Sequence, residues 1–300
     1  MDPTRPTVRI RSIPARAGLR WIQLALRAFV RQPAGFMGML GLFLLVMLAF
    51  SIPLALLVPL ASALHVDDIV VSMLGLALMP LLSLSFMLST EAVTNDLRIR
   101  PALFFAPLRT TPAARRSLIE IGLVYVAMFL GAWYLGNGLD GGETARWLSE
   151  HMLRPPEGGA AATTEAALSP AATMVAVLKM GVVAILTIPL WHAPALAHWA
   201  RYGAAQAMFA SVVALWRTRG ALAMFGLGWL ALSFGLASVL AVLELLFAGS
   251  GLVLGFGVLM SWALSALFYV TLWFGFVDTF EIVPPVAFRT PAAAGEPPAA

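Results

Sequence analysis

The sequence predicts an all-α fold, a polytopic bundle of about six transmembrane helices with two amphipathic interfacial segments. Three observations carry that prediction. Hydrophobic residues make up 60% of the 300 and charged residues only 11%, whereas a soluble domain carries about a quarter charged residues. Mean hydropathy is +0.88, and apolar runs of about 20 or more residues, each long enough for a hydrocarbon core of about 30 Å, recur along the chain. The arginines, finally, gather in alternate loops, the pattern that fixes topology in multi-span proteins. Too few polar residues exist to cover a soluble body of this size, so lipid must be the solvent for most of the surface.

Residues 1–33 read as a basic cytoplasmic tail containing Arg5, Arg9, Arg11, Arg16, Arg20, Arg27 and Arg31. Within it Trp21, Ile22, Leu24, Ala25, Ala28 and Phe29 recur at helical spacing between arginines, which predicts a short helix lying in the membrane interface. Residues 34–283 form the six-span domain. Span one is expected from about Ala34 to Leu64, kinked or tilted because Pro53 and Pro59 lie inside a run longer than a straight crossing needs. Ala61-Ser62-Ala63 resembles a signal-peptidase site, yet the apolar run before it is far longer than the usual stretch of about 7–15 residues, so the span is read as uncleaved. Span two covers about Ile69 to Leu88, after the acidic turn His65-Val66-Asp67-Asp68.

A basic loop with Arg98, Arg100, Arg109, Arg115 and Arg116 follows, then span three from about Leu118 to Leu135. From Gly136 to about Pro170 glycine, alanine, proline and acids dominate, which predicts a flexible outer loop with a short helix near Thr144 to Met152. Span four covers about Ala171 to Trp191, and an amphipathic segment from Ala193 to Arg219 is expected to return along the interface. Spans five (about Ala221 to Phe247) and six (about Leu252 to Phe276) form a hairpin through Ala248-Gly249-Ser250, and residues 284–300 read as a disordered tail. An even number of spans with the arginine-rich loops inside places both termini in the cytoplasm and the protein in the cytoplasmic (inner) membrane.

Composition also removes several kinds of chemistry. Cysteine is absent, which excludes disulfides, thiolate metal sites and cysteine nucleophiles. The chain has no HExxH, no glycine-rich phosphate loop and no nucleophile elbow, and His192 and His198 point to different helix faces. No catalytic, cofactor-binding or metal site is therefore expected. The sequence pI near 10.1 would suggest nucleic acid in a soluble protein; here no nucleic-acid partner is expected, because the arginines flank spans and face anionic headgroups. Lys179 is the only lysine, and with abundant alanine and glycine this composition suggests a bacterial, GC-rich source.

Charges inside the bilayer cost several kcal/mol unless paired or hydrated, so they mark candidate sites. Lys179 in span four and Glu244 in span five share a depth and could meet between helices, as a buried ion pair or part of a solute path; a structural pair, or two side chains snorkelling to the interface, is the simpler reading of them. Glu120 lies one turn from Arg116, an i,i+4 partner. Arg98, Arg100, Arg115 and Arg116 are expected to face cytoplasmic headgroups. Gly251 and Gly255 open span six with a spacing that lets helices approach closely.

Two passages look alike. Pro80-Leu81-Leu82 leads towards Pro101-Ala102-Leu103-Phe104-Phe105, and Pro189-Leu190-Trp191 leads through His192-Ala193-Pro194-Ala195-Leu196; each descends, runs beside arginines and climbs again. A duplication would relate them by an axis along the membrane normal, with chance similarity between apolar segments as the rival. The chain resembles a proteobacterial family of six-span inner-membrane proteins with no assigned activity. The resemblance rests on Trp-His-Ala-Pro-Ala-Leu at 191–196, the stretch from Gln206-Ala207-Met208-Phe209 to Trp216-Arg217, Phe276-Val277-Asp278-Thr279-Phe280, and Pro80 to Arg109. It covers most of residues 10 to 282, implies the six-span topology, and brings no active residues with it.

The expected function is that of a non-enzymatic membrane component acting through protein or lipid contacts: anionic headgroups, a membrane-protein partner or self-association. The alternative is a small-solute transporter or channel, motivated by the internal similarity, the prolines in spans one and four, and Lys179 with Glu244.

Overall fold

The computed structural model describes residues 6–63, 68–148, 169–247 and 251–283, and in them six helical segments are long and apolar enough to cross a membrane. A strand β1 (Thr7–Ile10) precedes helix α1 (Ala17–Arg31), and α2 (Pro33–Ala63) is span one. Span two is composite: α3 (Asp68–Met73), a 3-10 stretch over Leu74–Leu78, then α4 (Met79–Thr94). Span three is α5 (Pro112–Asp140), followed by α6 (Glu143–Leu148). Span four joins α7 (Pro170–Thr187), a 3-10 turn at Ile188–Leu190 and α8 (Ala193–Trp199). Helix α9 (Ala204–Arg217) leads into span five, α10 (Arg219–Leu246), and span six, α11 (Gly251–Thr279), runs straight into β2 (Phe280–Val283).

The helix ends follow from local chemistry. Spans three and four each open on proline, the residue pre-set for a first helical turn. Thr111 caps α5 by accepting the Ala114 N–H at 3.3 Å, and Ser169 caps α7 by accepting the Ala172 N–H at 3.1 Å. Span three stops at Gly141, whose φ of +60° is the left-handed cap that glycine supplies without strain. Pro80 opens α4 just after a 3-10 stretch, and Pro189 lies within one; the two similar passages thus share a local break, although span two continues directly as α4 whereas span four passes through Trp191 and His192 before α8.

Span two is the centre of the bundle. From Pro80 to Met87 every residue is buried, and this span has the lowest hydropathy of the six, because it meets helices rather than lipid. Three of its hydroxyls are satisfied within the helix: Ser85, Ser89 and Thr90 donate to the carbonyls of Leu81, Ser85 and Phe86 at 2.6, 2.8 and 2.8 Å. Glycines set the closest approaches. Gly122 of span three lies against the Ala77 carbonyl, and Gly18 of α1 against the Ala221 carbonyl of span five, so a side chain at either would meet backbone.

The packed core is gathered at the end where the arginines lie. In span one Phe36, Met39, Leu40 and Phe43 are buried while Leu56 and Leu60 are exposed; in span five only Ala221 and Phe225 are buried. In span six the core residues run mainly from Ala266 to Thr279. Towards the other end spans one, five and six present apolar side chains outward, as surfaces in lipid do, while spans three and four stay in contact.

Helix α1 explains part of this concentration. It turns Ala17, Gly18, Trp21, Ala25 and Ala28 inward, onto spans five and six, and aligns Arg16, Arg20, Arg27 and Arg31 along its exposed side. Leu19, Leu26 and Val30 form an exposed apolar flank beside the arginines, the side-chain arrangement of a helix lying in an interface. The expected helix within residues 1–33 is thus present.

Two features differ from the sequence reading. The segment 193–219 is two helices rather than one interfacial stretch. Helix α8 is in the core, with Ala193 to Ala197 buried, whereas α9 is amphipathic and exposes Phe209 and Trp216 opposite its buried Ala207, Ser211 and Ala214. The basic start also contains a strand: Thr7–Ile10 pairs antiparallel with Phe280–Val283, in the register Arg9 with Glu281. Four-residue strands carry little sequence signal and are marginal alone; this ribbon holds because Val8, Ile10 and Ile282 pack with Phe280 onto the core. The hairpin at 248–250, the turn 64–67, most of the loop 136–170 and the tail 284–300 lie outside the described residues. Within that loop, span three extends to Asp140 and α6 occupies Glu143–Leu148.

Candidate functional site

Lys179 does not meet Glu244. Its ammonium lies 3.1 Å from Asp140 Oδ2 and 3.0 Å from Asn137 Oδ1, with the Trp133 ring centroid 5.4 Å away. The physical reason is the length of span three: the helix does not end at Leu135 but continues to Asp140, bringing Trp133, Asn137 and Asp140 to one face at spacings of four and three. Gly136 on the same stretch leaves the space through which the lysine stem passes. The Lys179 side chain is 11% exposed and that of Asp140 2%.

Asp140 also ties the chain beyond the span. It accepts the Gly142 N–H at 2.9 Å, the Thr144 N–H at 3.3 Å and the Thr144 hydroxyl. Glu143 accepts both the N–H and the hydroxyl of Ser169, each at 3.0 Å. Spans three and four are therefore clasped at the end away from the arginines, by a lysine held by two hydrogen bonds and the Trp133 ring. Glu244 sits exposed on span five and borders an open groove between spans five and six. Glu120 has the expected partner, accepting from Arg116 at 2.8 Å.

The arginine-rich end has its own polar framework. Asp278 of span six accepts from Arg20 at 2.6 Å and from the Trp21 indole at 2.8 Å, fixing α1 against the bundle. Arg11 approaches Glu281 at 3.5 Å across the end of the ribbon, and Arg31 approaches Asp96 at 3.4 Å. Gln32 holds the following loop, donating to the Leu97 carbonyl at 2.8 Å and accepting the Ile99 N–H at 2.9 Å. Arg98, Arg100, Arg115 and Arg116 are all exposed at this end. Arg219 stacks over Trp216, 5.5 Å from its ring centroid.

A third feature was not visible in sequence. Spans two, three, four and six surround a cavity of about 380 Å³, bordered by Ser83, Tyr125, Tyr269, Phe129, Trp191 and Phe268 among others. Its residues are scattered over four spans and read singly as ordinary core positions. His192, buried nearby at the head of α8, packs on Phe276 and Phe280 at ring-centroid distances of 6.0 and 5.6 Å. Among the described residues no group of three or more His, Asp or Glu side chains is placed to hold a metal ion.

Six apolar spans around a helical core define a polytopic α-helical membrane protein. Over 283 residues, covering 93% of this chain and 96% of the relative, the sequence is 25% identical to a probable inner membrane protein of Burkholderia thailandensis. The chain thus resembles proteobacterial inner-membrane proteins, and that likeness together with the six spans assigns it to the inner membrane. No protein-family profile matches the chain, and no solved structure matches it.

Proposed function

We propose that this protein is a non-enzymatic component of the inner membrane, with both termini in the cytoplasm, that works by contact with anionic lipid headgroups and a membrane-protein partner. One observation carries the reading: the arginine stripe of α1, from Arg16 to Arg31, lies at the same end of the bundle as Arg98, Arg100, Arg115 and Arg116. Positive charge at one end marks the cytoplasmic side, where the anionic leaflet attracts each near-surface arginine by about 1 kcal/mol. The paired strands β1 and β2 put both described chain ends together, which agrees with an even span count. A solute path through Lys179 and Glu244 loses its motivation, because the lysine is engaged by Asp140.

The test is affinity purification from native membranes, with mass spectrometry of co-purifying proteins and lipids. A stoichiometric partner or enriched anionic lipid is expected, and it should be lost when Arg98, Arg100, Arg115 and Arg116 are changed to glutamine. Topology is checked in parallel by labelling single introduced cysteines, which this cysteine-free chain permits. A solitary protein carrying bulk lipid would overturn the proposal.

A further inference from the structure

We propose that the cavity between spans two, three, four and six binds the ring of a membrane quinone. Its volume of about 380 Å³ falls within the range of about 300–1,000 Å³ typical of ligand pockets. Depth is the first constraint. Tyr125 stands at the middle of the 29-residue α5, and Ser83 lies near the middle of composite span two. A phospholipid headgroup or its ester carbonyls sit at the interface, so a ligand at this depth must be lipid-soluble as a whole.

Charge is the second constraint. None of the side chains bordering the cavity is ionic, and an uncompensated charge in such a place costs several kcal/mol, so the ligand is neutral. The walls supply the shape. Trp191 and Phe268 meet edge to face at 5.2 Å, and Phe268 and Tyr269 at 5.7 Å, leaving ring faces and edges against which a flat ring packs.

The hydroxyls supply the polarity. Ser83 has a buried Oγ without a partner, unlike Ser85, Ser89 and Thr90 along the same helix. Among the described residues the Tyr269 hydroxyl reaches the Met79 sulfur, at 3.9 Å, and thioether sulfur is a weak acceptor. Tyr125 adds a second phenol to the border. Hydroxyl donors among uncharged, largely aromatic walls are matched by a planar neutral ring with carbonyl acceptors. An acyl chain offers no acceptor at this depth, and a sugar or amino acid offers too little apolar surface.

The experiment uses the full chain reconstituted in phospholipid nanodiscs and titrated with the soluble ring compound 2,3-dimethoxy-5-methyl-1,4-benzoquinone, with binding read by equilibrium dialysis. Saturable binding at one site per chain is expected. The aromatic analogue in which both carbonyls are replaced by methoxy groups should bind at least about tenfold more weakly, and Tyr269→Phe and Tyr125→Phe should each weaken the quinone by about five- to tenfold, the cost of one hydrogen bond. Ser83→Ala serves as a third variant should either phenol prove necessary for folding, and the analogue comparison needs only the unmodified protein. Non-saturable partitioning, equal affinity for the analogue, or unchanged affinity in folded hydroxyl variants would each overturn the proposal. Because no arginine is involved, its failure is separate from failure of the headgroup reading.

Discussion

Lys179 shows how a single charge is made tolerable among apolar helices. Its partners Asp140 and Asn137 and the ring of Trp133 come from one face of span three, and Gly136 admits the stem. Replacing one member of a buried pair strands the other, typically at about 3–5 kcal/mol. Lys179→Met should therefore lower the thermal midpoint in detergent markedly, and the double variant Lys179→Met with Asp140→Leu should regain part of the loss. Equal midpoints for Lys179→Met and the unmodified protein would mean that the pair contributes nothing. Gly136→Val should resemble the lysine variant, since its side chain would occupy the path of the Lys179 methylenes. At the arginine-rich end, Asp278→Ala removes the shared acceptor of Arg20 and Trp21. Its main effect should be greater protease sensitivity of α1, read by the rate of cleavage between α1 and α2, with a smaller change in overall stability because the pair is partly exposed.

At the scale of elements, what the sequence revealed followed hydropathy. All six spans were legible because about 20 apolar residues in a row have few other fates, and α1 was legible because arginines interrupt its apolar face at helical spacing. What escaped was whatever depends on distant partners. Strands β1 and β2 are four residues each and separated by most of the chain. Helix α8 reads like a neighbour of α9, yet one is buried and the other exposed, a distinction set by what packs over them. The partner of Lys179 was missed because the composition shift at Gly136 suggested an early end to span three; the better signal was Asp140-Gly141-Gly142, where a positive φ at both glycines terminates the helix. The ribbon is testable as an element. Val8→Pro should unpair it without touching a span, and faster amide exchange at both Thr7–Ile10 and Phe280–Val283 is expected. Faster exchange in the first segment alone would show that the second is held by other contacts.

The whole molecule is packed most fully at its arginine-rich end, and at the other end its polar contacts join spans three and four. Span two is enclosed, while much of span five away from its start, including Phe234 and Val242, faces outward. Single cysteines at Phe234 and Val242 should react with a lipid-phase maleimide much faster than cysteines at Phe86 and Thr90. Equal rates at the four positions would mean that span five is covered, by a partner or by a second copy. The cavity and the arginine face belong to this same scale, since neither exists until several spans have come together. The arginine face was legible in the charge of alternate loops, whereas the cavity was not: hydropathy records which residues leave water, and is silent about which helices become neighbours.

Arg20 and Asp278, which touch, are separated by 258 positions along the chain. At synthesis rates of about 5–20 residues per second, the ribosome delivers the second about 13–50 s after the first. For most of that interval α1 lacks span five, and until its end it lacks the last turn of span six, to lie against. It must wait at the membrane surface, held by its leucines and arginines, while every span is threaded through the bilayer. The last residues of span six therefore act as a latch that closes only after all six spans have been made, and a chain interrupted earlier leaves α1 without its acceptor at Asp278.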